Sequence, residues 1–142
     1  MRNKAVFFLF LLGTIFMLIS CEEDLFFDDP RDNIVGEWLV DEDSEEFKKK
    51  DMNRMYNVSI SKDLFDSTAF YIDGFYELDG RVKVIMENLN LIIPEQTIDG
   101  FRIHDGYGAI SSDYSEMTFY YYVSFTGIRD EVRADYSWAD TN

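Results

Sequence analysis

The sequence predicts an all-β domain, an antiparallel meander of about eight strands. Three observations carry this. From residue 34 onward, apolar and polar residues alternate at period two in one stretch after another. Asp-Gly occurs four times between such stretches, at 73–74, 79–80, 99–100 and 105–106. No segment sustains a helical period. Alternation gives each strand one apolar face, and Asp-Gly supplies the positive φ angles that tight hairpin turns require.

Taken in order, the first strand covers 34–41. The acidic run Asp41-Glu42-Asp43-Ser44-Glu45-Glu46 follows it. This run reads as a solvated charged loop, because carboxylates without an ordered, glycine-bearing loop do not gather calcium. One short helix is expected within 44–51, where Asp43 and Glu46 have capping-box spacing and Glu45–Lys49 and Glu46–Lys50 are i,i+4 pairs. A second strand at 54–62 alternates Tyr56, Val58 and Ile60 with Asn57, Ser59 and Ser61. Strands at 67–73, 81–87 and 89–93 follow, the last ended by Pro94. The strand at 98–104 sets Phe101 and Ile103 against Arg102 and His104. Ile72-Asp73-Gly74-Phe75 with Asp79-Gly80 is echoed by Ile98-Asp99-Gly100-Phe101 with Asp105-Gly106, which reads as one turn chemistry used twice.

The last two strands, 116–125 and 130–138, permit a register test. A four-residue loop, Thr126–Arg129, sets Phe125 opposite Asp130, Val123 opposite Val132, Tyr121 opposite Ala134 and Phe119 opposite Tyr136 on one apolar face. The other face then pairs Tyr122 with Arg133 and Tyr120 with Asp135.

The N-terminus reads as an address. Arg2 and Lys4 precede fifteen mostly apolar residues, Ala5 to Ile19, a run of signal-peptide length and short for a membrane span. It ends in Leu18-Ile19-Ser20-Cys21, which resembles the lipobox of bacterial lipoproteins. That resemblance implies a thioether-linked diacylglycerol on Cys21, cleavage before it, and acylation of the new amine by a fatty acid such as palmitate. Two or three acyl chains make a lasting anchor where one does not. Glu22-Glu23-Asp24 resembles the surface-export signal of lipoproteins in the Bacteroidota, which would carry the chain to the outer leaflet of the outer membrane, facing the cell exterior. The expected organisation is therefore a signal peptide at 1–20, a lipidated acidic tether at 21–33 and a β domain at 34–142. Residues 22 to 33, fully extended, would span at most ~40 Å.

Ile34-Val35-Gly36-Glu37-Trp38-Leu39-Val40 resembles the Gly-x-Trp opening of lipocalin and calycin barrels, and Ile93-Pro94-Glu95-Gln96 resembles a turn of small lipocalin-like lipoproteins of the Bacteroidota. The resemblance implies that the meander closes into a small barrel with Trp38 at its closed end. A barrel of about eight strands is just wide enough to be filled by its own side chains, or to hold one small ligand.

The chain carries 28 acidic and 13 basic residues in 142, a net charge of −15. Such a domain repels phosphate backbones, which excludes nucleic acid as a partner. The single cysteine excludes an intrachain disulfide, and one histidine gives too few ligands for a zinc site. His104-Asp105 is the one His–carboxylate neighbour pair, with Asp105 expected in a turn and no nucleophile elbow present. No enzyme signature, cofactor motif or metal site emerges. The surface guess is Tyr120, Tyr122 and Arg133, an outer-face platform for a glycan or a partner. Asp66-Ser67-Thr68 resembles an O-glycosylation motif of exported Bacteroidota proteins, with Ser67 as acceptor. The expectation is a non-enzymatic lipoprotein, held to the membrane through Cys21, that binds a small apolar ligand, a glycan or a partner protein. The alternative is an accessory subunit of a surface complex with a filled core, and a cryptic hydrolase ranks last.

Overall fold

The expected fold class is the one observed. The computed structural model describes residues 28–52 and 54–139. The signal segment 1–20, Cys21 and Glu22–Asp24 lie outside the described residues. After a 3-10 turn at Pro30–Asn33 come β1 (Gly36–Ser44), the single-turn helix α1 (Glu45–Lys48), β2 (Arg54–Lys62) and β3 (Ala69–Asp73). A second 3-10 turn, Phe75–Glu77, precedes β4 (Arg81–Glu87), β5 (Asn90–Ile93) and β6 (Gln96–Ile98). The chain then runs through β7 (Phe101–Ile110), β8 (Glu116–Phe125) and β9 (Ile128–Trp138).

All pairings are antiparallel. The order is β5-β4-β3-β2-β1-β9-β8-β7-β6, and β5 also pairs with β7, which closes an eight-stranded barrel. β6 lies on the same edge of β7 as β5, further along it. The two are one strand broken at Pro94, which has no N–H to give a ladder. Gln96 repairs the break: its side-chain amide accepts from Lys83 N and donates to Lys83 O, both at 2.9 Å. The side chain thus stands in for a strand backbone where β4 would otherwise be unpaired.

Alternate side chains of each strand point inward. Trp38, Phe70, Phe75, Phe119, Tyr121 and Tyr136 are fully buried and fill the barrel axis. Trp38 stacks on Trp138 with ring centroids 4.1 Å apart, and its Nε1 donates to Ile34 O at 2.8 Å. These contacts close the barrel end at which β1 starts and β9 stops.

Several local expectations are corrected. β8 and β9 are joined by a two-residue turn, Thr126-Gly127, with φ of 43° and 80°. Phe125 therefore faces Ile128, and Val123 faces Asp130. The register differs from expectation by two residues, so every side chain keeps its face. Of the four Asp-Gly pairs only Asp99-Gly100, with φ of 51° and 80°, makes the two-residue hairpin turn. Asp73-Gly74 leads into the 3-10 turn, and Asp79-Gly80 precedes β4. Asp105-Gly106 is a bulge inside β7, where the pairing with β8 shifts between His104 and Tyr107. The apparent repeat is therefore not a structural one. The helix is capped by Ser44, whose side chain accepts from Phe47 N, rather than by Asp43. Pro30–Asn33, expected in the tether, is docked on the barrel, with Arg31 buried.

Trp38→Ala should lose ~3–5 kcal/mol in guanidinium unfolding, since it empties the closed end of its largest ring. Tyr120→Ala, on the outer wall, should stay within ~1 kcal/mol. A cheap Trp38 and a costly Tyr120 would invert the facing of the strands.

Candidate functional site

Two polar assemblies stand out, one inside the barrel and one on its wall. The inner one contradicts the reading of 41–46 as a solvated loop. Strand β1 runs on to Ser44, and its alternation turns Trp38, Val40, Glu42 and Ser44 inward. Glu42 Oε1 lies 2.8 Å from Arg54 Nη1, an ion pair by distance in which neither atom has hydrogen-bond alignment. Glu42 Oε2 accepts from the hydroxyls of Tyr56 and, at 2.9 Å, Tyr121. Asp130, fully buried, accepts from Tyr76 at 2.7 Å, from Ser44, and from the Glu46 amide at 3.0 Å. The Arg54 guanidinium is packed between the rings of Phe47 and Tyr76, at 4.0 and 4.5 Å, and also binds Glu77 and Tyr76 O.

Burial pushes Glu42 above the usual carboxylate range, against the pull of its tyrosine bonds and of Arg54. Arg54 loses hydration too, yet Glu42 and Glu77 raise its affinity for the proton on balance. Burial drives the Tyr121 and Tyr136 hydroxyls well above their ordinary value. The Tyr136 hydroxyl has no partner among the described residues. The cluster joins β1, β2, β8, β9, α1 and the second 3-10 turn, and works as a plug at the barrel end opposite Trp38.

The outer assembly lies on β7, β8 and β9. Tyr120 faces Arg133 across β8–β9 and Tyr107 across β7–β8. The rings of Tyr107 and Tyr120 stack at 5.4 Å and are 60% and 39% exposed. Tyr122 is engaged on its faces, stacked on His104 at 5.7 Å with the Arg129 guanidinium 3.9 Å from its ring. Arg133 pairs with Asp135 at 3.1 Å and sits 5.9 Å from the Tyr120 ring. The exposed platform is thus Tyr107 and Tyr120 rather than Tyr120 and Tyr122. On one side of it is a dimple of about 90 Å³ that includes Glu131. On the other, a trough of about 470 Å³ is bordered by Leu39, Asp41, Met55, Thr118, Arg133 and Asp135. Ser67 is exposed, in the turn before β3, beside an Asp66 that binds Thr68 N and Oγ1.

Next to the platform is a contact that sequence reasoning missed. His104 Nε2 lies 2.8 Å from Ser124 Oγ, and His104 Nδ1 lies 2.8 Å from Asp105 Oδ2. The bulge makes this possible: Asp105 adopts φ 51° and turns its carboxylate back on the ring. The hydrogen bond from His104 holds the Asp105 carboxyl below its usual range. The order is that of nucleophile, base and orienting acid. Acyl transfer also needs a cleft and oxyanion donors. Ser124 lies on a paired strand between Arg102 and Arg129, and neither Ser124 nor His104 borders any of the pockets described above. Among the described residues no group of three or more His, Cys, Asp or Glu is arranged to hold a metal ion. Comparison with protein-family models and with curated proteins finds no match to this chain.

Arg54→Ala leaves Glu42 as a buried, uncompensated charge and should cost ~3–5 kcal/mol near neutral pH. Its folded pKa, already raised, rises further. A carboxyl raised on folding favours the folded state when protonated, below its ordinary value, and loses that advantage as pH climbs through the raised value. Melting at about pH 5 should therefore close part of the gap between variant and wild type. A gap that is constant with pH would show that Glu42 is not the group left unpaired.

Proposed function

We propose that this chain is a non-enzymatic lipoprotein, anchored through Cys21 and facing the cell exterior, whose barrel wall binds a neutral glycan. The stacked, exposed pair Tyr107–Tyr120 carries the reading. Two stacked, nearly parallel rings that stay exposed can set an aromatic face against the apolar face of a sugar. Arg133, Asp135, Asp41 and Glu131 nearby supply donors and acceptors for hydroxyl groups. The net charge of −15 opposes acidic polysaccharides. A ligand inside the barrel has less support, because large side chains occupy its axis.

Titration calorimetry with neutral oligosaccharides should show binding by the wild type. Tyr107→Ala with Tyr120→Ala should weaken it about tenfold or more, since each stacked ring contributes ~0.5–1.5 kcal/mol beyond the area it buries. The melting temperature should hardly move. Wild-type binding that survives the double change would move the site elsewhere, and no binding at all would favour an accessory subunit of a surface complex. For the anchor, a clickable fatty-acid probe should label the wild type and leave Cys21→Ser unlabelled; equal labelling would refute lipidation at Cys21.

A second reading, a surface hydrolase, draws on the Ser124–His104–Asp105 chain alone. A fluorophosphonate that labels the wild type and not Ser124→Ala would establish it.

A further inference from the structure

The loop between β2 and β3, residues 63–68, is heavily braced. Arg31 Nη1 donates to the carbonyls of Asp63, Asp66 and Ala69 at 3.0, 2.8 and 2.7 Å. Asp29 fixes the other edge of the same guanidinium through both carboxylate oxygens. Asp63 Oδ1 accepts from the amides of Phe65 and Asp66. Lys83 Nζ reaches both carboxylates, at 3.2 and 3.1 Å. All this order holds up two apolar side chains in water: Leu64 is 86% exposed and Phe65 is 100% exposed. A core does not gain from them, and a flexible loop would not need such bracing.

Direction along the barrel gives the tip its meaning. Strand β2 ends where β1 begins, so the loop and Pro30–Asn33 share one barrel end. Any lipid on Cys21 leaves from that end. Because Asp29 and Arg31 are docked, a lipid on Cys21 would be separated from the barrel by Glu22–Asp28 at most, ~25 Å if extended. The carboxylates beside the tip are engaged by Lys83 and by backbone amides, with Asp66 lowered to about 2 chiefly by its Thr68 hydrogen bonds. The trough of about 460 Å³ next to the tip is lined by Val35, Leu64, Phe65 and Tyr71 together with Lys62, which is paired with Asp29 and Asp32, and Arg81, which lies over the Tyr71 ring. Two braced apolar side chains with Arg81 beside them suit the boundary between acyl chains and phosphate headgroups.

We infer that Leu64 and Phe65 form a second membrane contact, a tip that enters the bilayer interface and stands the barrel on its tether end. This rests on the anchored reading above for its geometry. The same end-on stance lifts the opposite barrel end, with the β8–β9 turn, away from the lipid.

The test uses the full chain, purified from membranes and reconstituted in phosphatidylcholine nanodiscs, with Phe65→Trp and Ile128→Trp compared with wild type. The emission added by Phe65→Trp should be quenched by lipids brominated high on the acyl chain and spared by aqueous iodide. The emission added by Ile128→Trp, at the far end, should show the reverse. Adding Leu64→Ser to Phe65→Trp should lower the bromine-quenched fraction about tenfold relative to the iodide-quenched one. Iodide quenching of the emission added by Phe65→Trp, in a chain whose intact mass shows lipid on Cys21, overturns the tip alone. Bromine quenching in a chain without that lipid supports the tip and removes the anchor. A sugar on Ser67, seen in the same mass, would hold the loop off the bilayer and overturn the proposal.

Discussion

The barrel depends on how closely β5 can approach β7. That ladder, Asn90 to Ile93 against Ala109 to Gly106, turns an open sheet into a closed one. It works because two positions of β7 lack side chains. A Cβ on Gly106 would lie 2.6 Å from Ile93 Cβ, and one on Gly108 would lie 2.5 Å from Thr118 O and 2.8 Å from the Phe119 ring. One glycine admits β5 on its side, and the other admits β8. Without closure, β5 and β6 would be bare edges with unpaired amides, the standard route to aggregation. Closure also confines the large rings to one axis, and Tyr121, Tyr136 and Phe119 pack there because the wall has no gap.

Much of the fold was legible because side-chain parity is robust. The β8–β9 register was misjudged by two residues, yet an even slip returns every residue to its own face, so Phe119, Tyr121 and Val123 were correctly turned inward. The turn itself was missed because Thr126 is an unusual residue for positive φ. The bulge at Asp105-Gly106 was hidden for the opposite reason: Asp-Gly is so strong a hairpin signal that the strand was expected to stop there. Parity records the truth, since Ile103 is inward before the bulge while Gly106 and Ile110 are inward after it.

The functional residues were less legible. Tyr120 and Arg133 could be placed on the wall from alternation alone. Tyr107 could not, because it lies beyond the expected end of its strand. The contact between Ser124 and His104 depends on the bulge and on pairing between β7 and β8, neither of which composition reveals. Glu42 had a usable signal, because it shares parity with Trp38 and Val40. Its place in a run of acids outweighed that signal, as charge runs ordinarily face water. The partners that make its burial tolerable come from two other strands, Arg54 and Tyr56 from β2 and Tyr121 from β8.

That dispersal bears on the order in which the chain can assemble. Ser44 and Asp130 are 86 residues apart, and Tyr121 and Glu42 are 79 apart. Each joins the first part of the barrel to the last. Strand β2 gives Glu42 two of its partners, Arg54 and Tyr56, but Tyr121 arrives only with β8, and Ser44 meets Asp130 only when β9 docks. A β1–β2 hairpin thus holds only part of the plug, which is completed when the C-terminal strands dock. Distant contacts of this kind slow folding and sharpen its cooperativity. The plug of charge at one barrel end thus ties the first strand to the last, and a chain truncated before β9 would lose both Asp130 and the β9 ladder on β1.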